Sequence, residues 1–139
     1  MKIKLGDRMN FIEKSQLINV IVKEVVEAII PANWNYIYFY TESLRDKEIG
    51  LRRKTTVECW IGEKPVLYTK DYALDTSGEL LMEINKLYLA CEKDNDIWTG
   101  FLLKINNTGK YSSKFYYEGT PLLDGNEKEL DKRINDLKS

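Results

Sequence analysis

Histidine is missing from this sequence altogether, and the chain has only two cysteines, three prolines and a formal charge of -1. Each shortage removes a class of function. Without imidazole there is no Ser-His or Cys-His nucleophile pair and no general base that titrates near neutral pH. Zinc sites that use histidine are excluded too, and two thiols cannot make the four-thiolate kind. Cys59 lies in the apolar run Val57 to Ile61, and Cys91 lies on the apolar stripe of a helix. Both read as small buried residues, with no disulfide between them. With 21 Lys+Arg against 22 Asp+Glu, no global field draws the chain to nucleic acid or to anionic lipid. No run approaches the ~20 apolar residues of a membrane span, and the charged first sixteen residues lack the apolar stretch of a signal peptide. The expectation is a cytoplasmic protein with no membrane partner.

Motifs for chemistry are equally sparse. Neither G-x-G-x-x-G nor G-x-x-x-x-G-K-[ST] occurs, so the usual phosphate cradles are absent. A metal nuclease would need acidic residues and a lysine near a strand end, yet there is no Glu-x-Lys, and the one Asp-x-Lys is Asp136-Leu-Lys138 near the C-terminus. Acidic pairs drawn from Glu58, Asp71 or Asp75 carry no specificity among 22 acidic residues. Arg52-Arg-Lys54 stands beside Asp46 and Glu48 and reads as a solvated loop. The expectation is no enzyme, no cofactor, no metal and no catalytic residue.

The residues that are present describe a folded domain. At 139 residues, with 43% hydrophobic and 31% charged residues, one domain over 1–139 is expected. Residues 1–9 read as a short arm. Leu17, Ile18, Ile21, Val22, Val25 and Ile29 recur at helical spacing, with Asn10 as cap and Pro31 as stop. Trp34 to Thr41 is an aromatic strand. Glu42 to Lys54 reads as a charged loop or a frayed hairpin turn, followed by strands at Thr55 to Ile61 and Val66 to Thr69. A helix begins near Ser77, where Thr76-Ser-Gly-Glu79 has capping-box spacing, and carries Leu80, Leu81, Ile84, Leu87, Tyr88 and Cys91. Strands Trp98 to Ile105 and Lys110 to Glu118 flank the turn Asn106-Asn-Thr-Gly109. A last helix covers about Glu127 to Lys138, within a C-terminal segment 126–138. The fold class is α+β, a two-layer sandwich of an antiparallel sheet with helices on one face, in the order α-β(3-4)-α-β2-α.

Strand alternation then separates two faces. If Ile37, Phe39, Val57, Cys59, Ile61, Phe101, Leu103 and Ile105 face the helices, then Tyr36, Tyr38, Tyr40, Glu58, Trp60, Lys104, Lys114 and Tyr116 face the other way. Tyrosine and tryptophan offer large contact area with a polar tip, so this face suits a protein partner. Tyr36, Tyr38, Tyr40, Glu58, Trp60 and Tyr116 are the expected partner-binding residues. Two alternatives use the same face. It can stack bases as a single-stranded nucleic-acid-binding module, although the charge balance argues against nucleic acid. Or the C-terminal helix covers it as a third layer.

A family resemblance rests on these same residues. Ile30-Pro-Ala-Asn-Trp34 followed by Tyr36-Ile-Tyr-Phe-Tyr40, then Trp98-Thr99, Gly109-Lys-Tyr111 and Phe115-Tyr-Tyr-Glu118, resemble the pattern of the YezG-like family of bacterial immunity proteins. The resemblance spans about Leu17 to Asp124, inside a family-like core of 10–124. It implies a protein that binds and neutralises a cognate toxin domain, often a nuclease delivered by a contact-dependent or polymorphic toxin system. It lends no catalytic residue.

Overall fold

In a computed structural model, which describes residues 5–29, 33–66 and 78–138, the α+β class and the antiparallel sheet are as expected. Helix α1 spans Leu5–Ala28, and strands β1 (Tyr36–Asp46), β2 (Gly50–Ile61) and β3 (Lys64–Val66) follow. Helix α2 (Gly78–Lys93) precedes β4 (Gly100–Asn106) and β5 (Tyr111–Tyr116). Helices α3 (Pro121–Asp124) and α4 (Glu127–Ile134), then a single 3-10 turn over Asn135–Leu137, complete the order. The sheet runs β3-β2-β1-β4-β5 with every neighbour antiparallel. β1 is therefore central, with Tyr38 opposite Glu58 on one side and Lys104 on the other.

Two boundaries differ from the sequence expectations. The helix reaches back to Leu5, so Asn10 lies inside it and residues 5–9 are helical, not an arm. Of the two readings of Glu42 to Lys54, the hairpin holds and the loop does not, but the hairpin is not frayed: it is the far half of a long one, paired in register to Asp46 opposite Gly50. Only Lys47, Glu48 and Ile49 turn the chain. Asp46 Oδ1 accepts the backbone N–H groups of Glu48 and Ile49 at 2.8 and 3.3 Å, and Gly50 takes the positive φ of 84° that closes a three-residue hairpin. Expectations placed on Pro31, on Leu67 to Thr69, on Asp71 and Asp75, and on the caps Thr76 and Ser77 lie outside the described residues.

The main core fills the space between α1, α2 and one sheet face. Ile21 and Val25 of α1, Ile84 and Leu87 of α2, and Ile37, Phe39, Phe101, Leu103 and Ile105 of the sheet are wholly enclosed. Trp98 sits among them, edge-on to Tyr88 at 5.3 Å, and Phe101 stacks on Phe115 at 4.6 Å. Cys59 and Cys91 are buried free thiols, and burial pushes both above the ordinary cysteine value. A second, smaller cluster lies on the opposite face. There Tyr40, Leu102 and Leu122 are buried against Tyr116, Leu130, Ile134 and Leu137. The C-terminal helices thus turn to the face away from α1 and α2 and add a partial third layer to the two expected. The reason is legible in α4, whose apolar residues Leu130 and Ile134 recur four apart and need a partner surface.

Candidate functional site

The register carries Tyr36, Tyr38, Tyr40 and Glu42 of β1 to the second face, with Glu58 and Trp60 of β2, Leu102 and Lys104 of β4, and Lys114 and Tyr116 of β5 beside them. The C-terminal helices lie over one end of this face and leave the other open. The two ends have different chemistry.

At the covered end, Tyr40 is fully buried and its hydroxyl donates to Glu42 Oε2 at 2.5 Å. Glu42, also fully buried, accepts the backbone N–H groups of Leu122 and Leu123 at 3.0 and 2.8 Å, which caps α3 from across the sheet. Arg133 reaches in from α4. Its Nη1 donates to Tyr40 Oη at 3.0 Å and to the Gly119 carbonyl at 3.3 Å, its Nη2 donates to the Glu118 carbonyl, and its guanidinium lies 4.6 Å from the Tyr116 ring centre. Burial, then the bond to Glu42, raises the Tyr40 phenol well above its ordinary 10.0. Tyr116 is half-buried and donates to Asp136, which also pairs with Lys114 at 3.1 Å. That bond from Tyr116 is the main reason the Asp136 carboxyl is held below its ordinary 3.8. Gly100 is required here: a Cβ on it would come within 2.7 Å of Tyr40 Oη and 3.3 Å of Arg133 Nη1.

At the open end, Tyr36 keeps 41% of its surface and Tyr38 only 7%, so Tyr38 forms a floor and Tyr36 a wall. Trp60 is the facing wall, and its indole N–H donates to Glu58 Oε1. Lys138, just beyond the 3-10 turn, donates to the same Glu58 oxygen at 2.8 Å while its ammonium lies 5.0 Å from the Trp60 ring and 5.1 Å from that of Tyr38. Lys104 Nζ lies 5.1 Å from the Tyr36 ring and 5.9 Å from the Tyr38 ring. Tyr36, Tyr38, Trp60, Gly62, Lys104 and Lys138 line a notch of about 250 Å³, with Glu58 behind Trp60 and Lys138.

The six expected partner-binding residues therefore divide. Tyr36, Tyr38, Glu58 and Trp60 come together at the notch. Tyr40 is corrected: it is sealed beneath α4 and cannot touch a partner. Tyr116 is half-withdrawn, its ring under Arg133 and its hydroxyl holding Asp136. Lys104 was placed on this face by alternation but not singled out, and its place opposite Tyr38 was the available signal. Lys138 had no signal, because the contact depends on where the C-terminal helices dock. Among the described residues, no three Asp, Glu or Cys side chains gather as a metal-binding group, and no helix is long and apolar enough to cross a membrane.

Comparison with known proteins gives the site a context. No family model matches the chain. It is similar to the curated protein "Immunity protein YezG" of Bacillus subtilis (strain 168), at 28% identity, with 78% of each chain covered. The resemblance read from the motifs thus has a counterpart over 78% of the chain: this protein is a distant homologue of a bacterial immunity protein.

Proposed function

We propose that this chain is an immunity protein, which binds a cognate bacterial toxin domain and neutralises it without catalysis in the cytoplasm of the cell that makes it. The observation that carries the reading is the similarity to an immunity protein across 78% of both chains. The notch end of the sheet supports it. Trp60 and Tyr36 are the residue types that dominate binding energy at protein interfaces, and they stand on a rigid, five-stranded support. A neutralising complex of ordinary tightness buries about 1,600 Å² in total, so the contact extends beyond the notch over neighbouring strand residues. Partner-binding residues are then Tyr36, Glu58 and Trp60, with Tyr38 beneath them and the exposed edge of Tyr116 at the margin. The toxin we infer is a nuclease domain of a contact-dependent or polymorphic toxin system.

Co-expression with the product of the adjoining toxin gene tests the reading. A stable complex and survival of the co-expressing cells are expected, and Trp60→Ala should weaken the complex at least tenfold. Absence of a complex with the unaltered chain would sink the proposal. A second reading, binding of single-stranded nucleic acid, draws on the ammonium of Lys104 beside the Tyr36 and Tyr38 rings. It requires binding of a labelled oligonucleotide at low salt that weakens as salt rises.

A further inference from the structure

The notch has a charge that its own residues do not balance. Lys138 is paired with Glu58 at 2.8 Å. Lys104 has no such partner: among the described residues its ammonium meets only the faces of Tyr36 and Tyr38. Two ammonium groups against one carboxylate leave a single positive charge at a half-enclosed, ring-lined position. A ring face stabilises a cation but leaves its N–H donors unsatisfied, and all three donors of an ammonium seek acceptors. Among the described residues, the notch therefore lacks one anionic acceptor.

We propose that the notch receives one Asp or Glu side chain of the protein partner, whose carboxylate pairs with Lys104 while its stem lies between Tyr36 and Trp60. The inference rests on the immunity reading and specifies what the toxin must present. Size and charge select this occupant. At about 250 Å³ the notch falls below the ~300–1,000 Å³ of small-molecule sites, which suits one side chain better than a nucleotide. One unbalanced positive charge matches a monoanionic carboxylate. A phosphate group would bring its charge toward Glu58, which already occupies the second ammonium, and a polyanion would gain only one phosphate contact there. The Tyr36 and Tyr38 rings beside Lys104 shield the pair in part from water, which raises its worth over that of a fully exposed one.

The test is affinity for the adjoining gene's toxin domain, measured with the unaltered chain, Lys104→Gln, Lys104→Glu and a control, Lys47→Gln, at the exposed tip of the first hairpin. Lys104→Gln should weaken binding about tenfold and Lys104→Glu more, with Lys47→Gln unchanged and all thermal midpoints alike. A toxin Asp or Glu replaced by Lys should then restore binding to Lys104→Glu specifically, a rescue that a merely structural role for Lys104 would not give. Equal affinity of all four chains overturns the notch proposal and leaves the immunity reading intact. No binding by the unaltered chain overturns both. Salt-dependent binding of a labelled single-stranded oligonucleotide that is lost in Lys104→Gln assigns the notch to nucleic acid and also overturns the proposal.

Discussion

The two faces of the sheet are built on different principles, although the same strands supply both. Toward α1 and α2 the sheet presents aliphatic and aromatic side chains that interlock without a charged group in the cluster. Toward the C-terminal helices it presents Tyr40, Glu42 and Tyr116, and Arg133 ties them to backbone carbonyls. Apolar contact is non-directional, so the first face tolerates exchange among residues of similar volume. Hydrogen bonds to buried groups are directional and costly to leave unmade, so the second face fixes one docking of α3 and α4. The lesson is a division of labour: one face supplies most of the stability, and the other sets where the notch's last wall, Lys138, comes to rest.

Substitutions should separate the two. The largest effect is expected from Phe101→Ala, which empties the centre of the apolar face and should cost about 3–5 kcal/mol in denaturant unfolding. Next comes the polar end, where Glu42→Ala removes the acceptor of the buried Leu122 N–H and the part-buried Leu123 N–H, and Arg133→Met removes the donor to Tyr40 Oη and to two part-buried carbonyls. Each should cost about 2–4 kcal/mol. Because Glu42 and Arg133 meet at one hydroxyl, the double variant should cost less than the sum by about 1 kcal/mol or more, and additivity would show that the network does not act as a unit. Gly100→Ala pushes a methyl against Tyr40 Oη and should cost about 1–3 kcal/mol, while the same change at Gly78, the exposed first residue of α2, meets nothing within 4 Å.

The smallest effect is a pH dependence. Asp136 has its carboxyl held below the ordinary 3.8 in the folded chain, chiefly by the bond from Tyr116. Its contribution is therefore complete above that ordinary value and is lost as pH falls below it, through the depressed folded value. Asp136→Asn should lower the thermal midpoint slightly at neutral pH, match the unaltered chain at the acid end and so flatten the fall between them, the whole effect being small because the pair is partly exposed. A window displaced to higher pH would point to another acid.

How much of this was legible in the sequence follows the same division. Periodicity located α2 from Leu80 to Cys91, the core face of β1 at Ile37 and Phe39, and the β4–β5 hairpin at Asn106, whose Oδ1 accepts from Thr108 and Lys110. Such signals are local and come from apolar spacing or turn chemistry. The far half of the first hairpin was hidden, because Glu42 to Lys54 is charged and strand pairing there is set by the partner strand more than by side-chain type. Glu42 and Arg133 were hidden for a stronger reason. Charged residues read as solvated unless a specific partner is known, and theirs lie far along the chain. One clue existed: Glu42 continues the parity of Tyr36, Tyr38 and Tyr40. The aromatic sheet face was thus legible in outline, and the C-terminal helices decided which half of it stayed open.

The span of the polar network has a consequence for synthesis. Arg133 meets Tyr40 across 93 residues, and Glu42 meets Leu123 across 81. A ribosome adding about 5–20 residues per second takes about 5–20 seconds to pass from the first partner to the last. Throughout that interval Tyr40 has nothing to cover it, and this face matures only after Arg133 has been made. The notch, whose wall at Lys138 lies beyond Arg133 in the sequence, is completed only after every residue of the apolar core has been made.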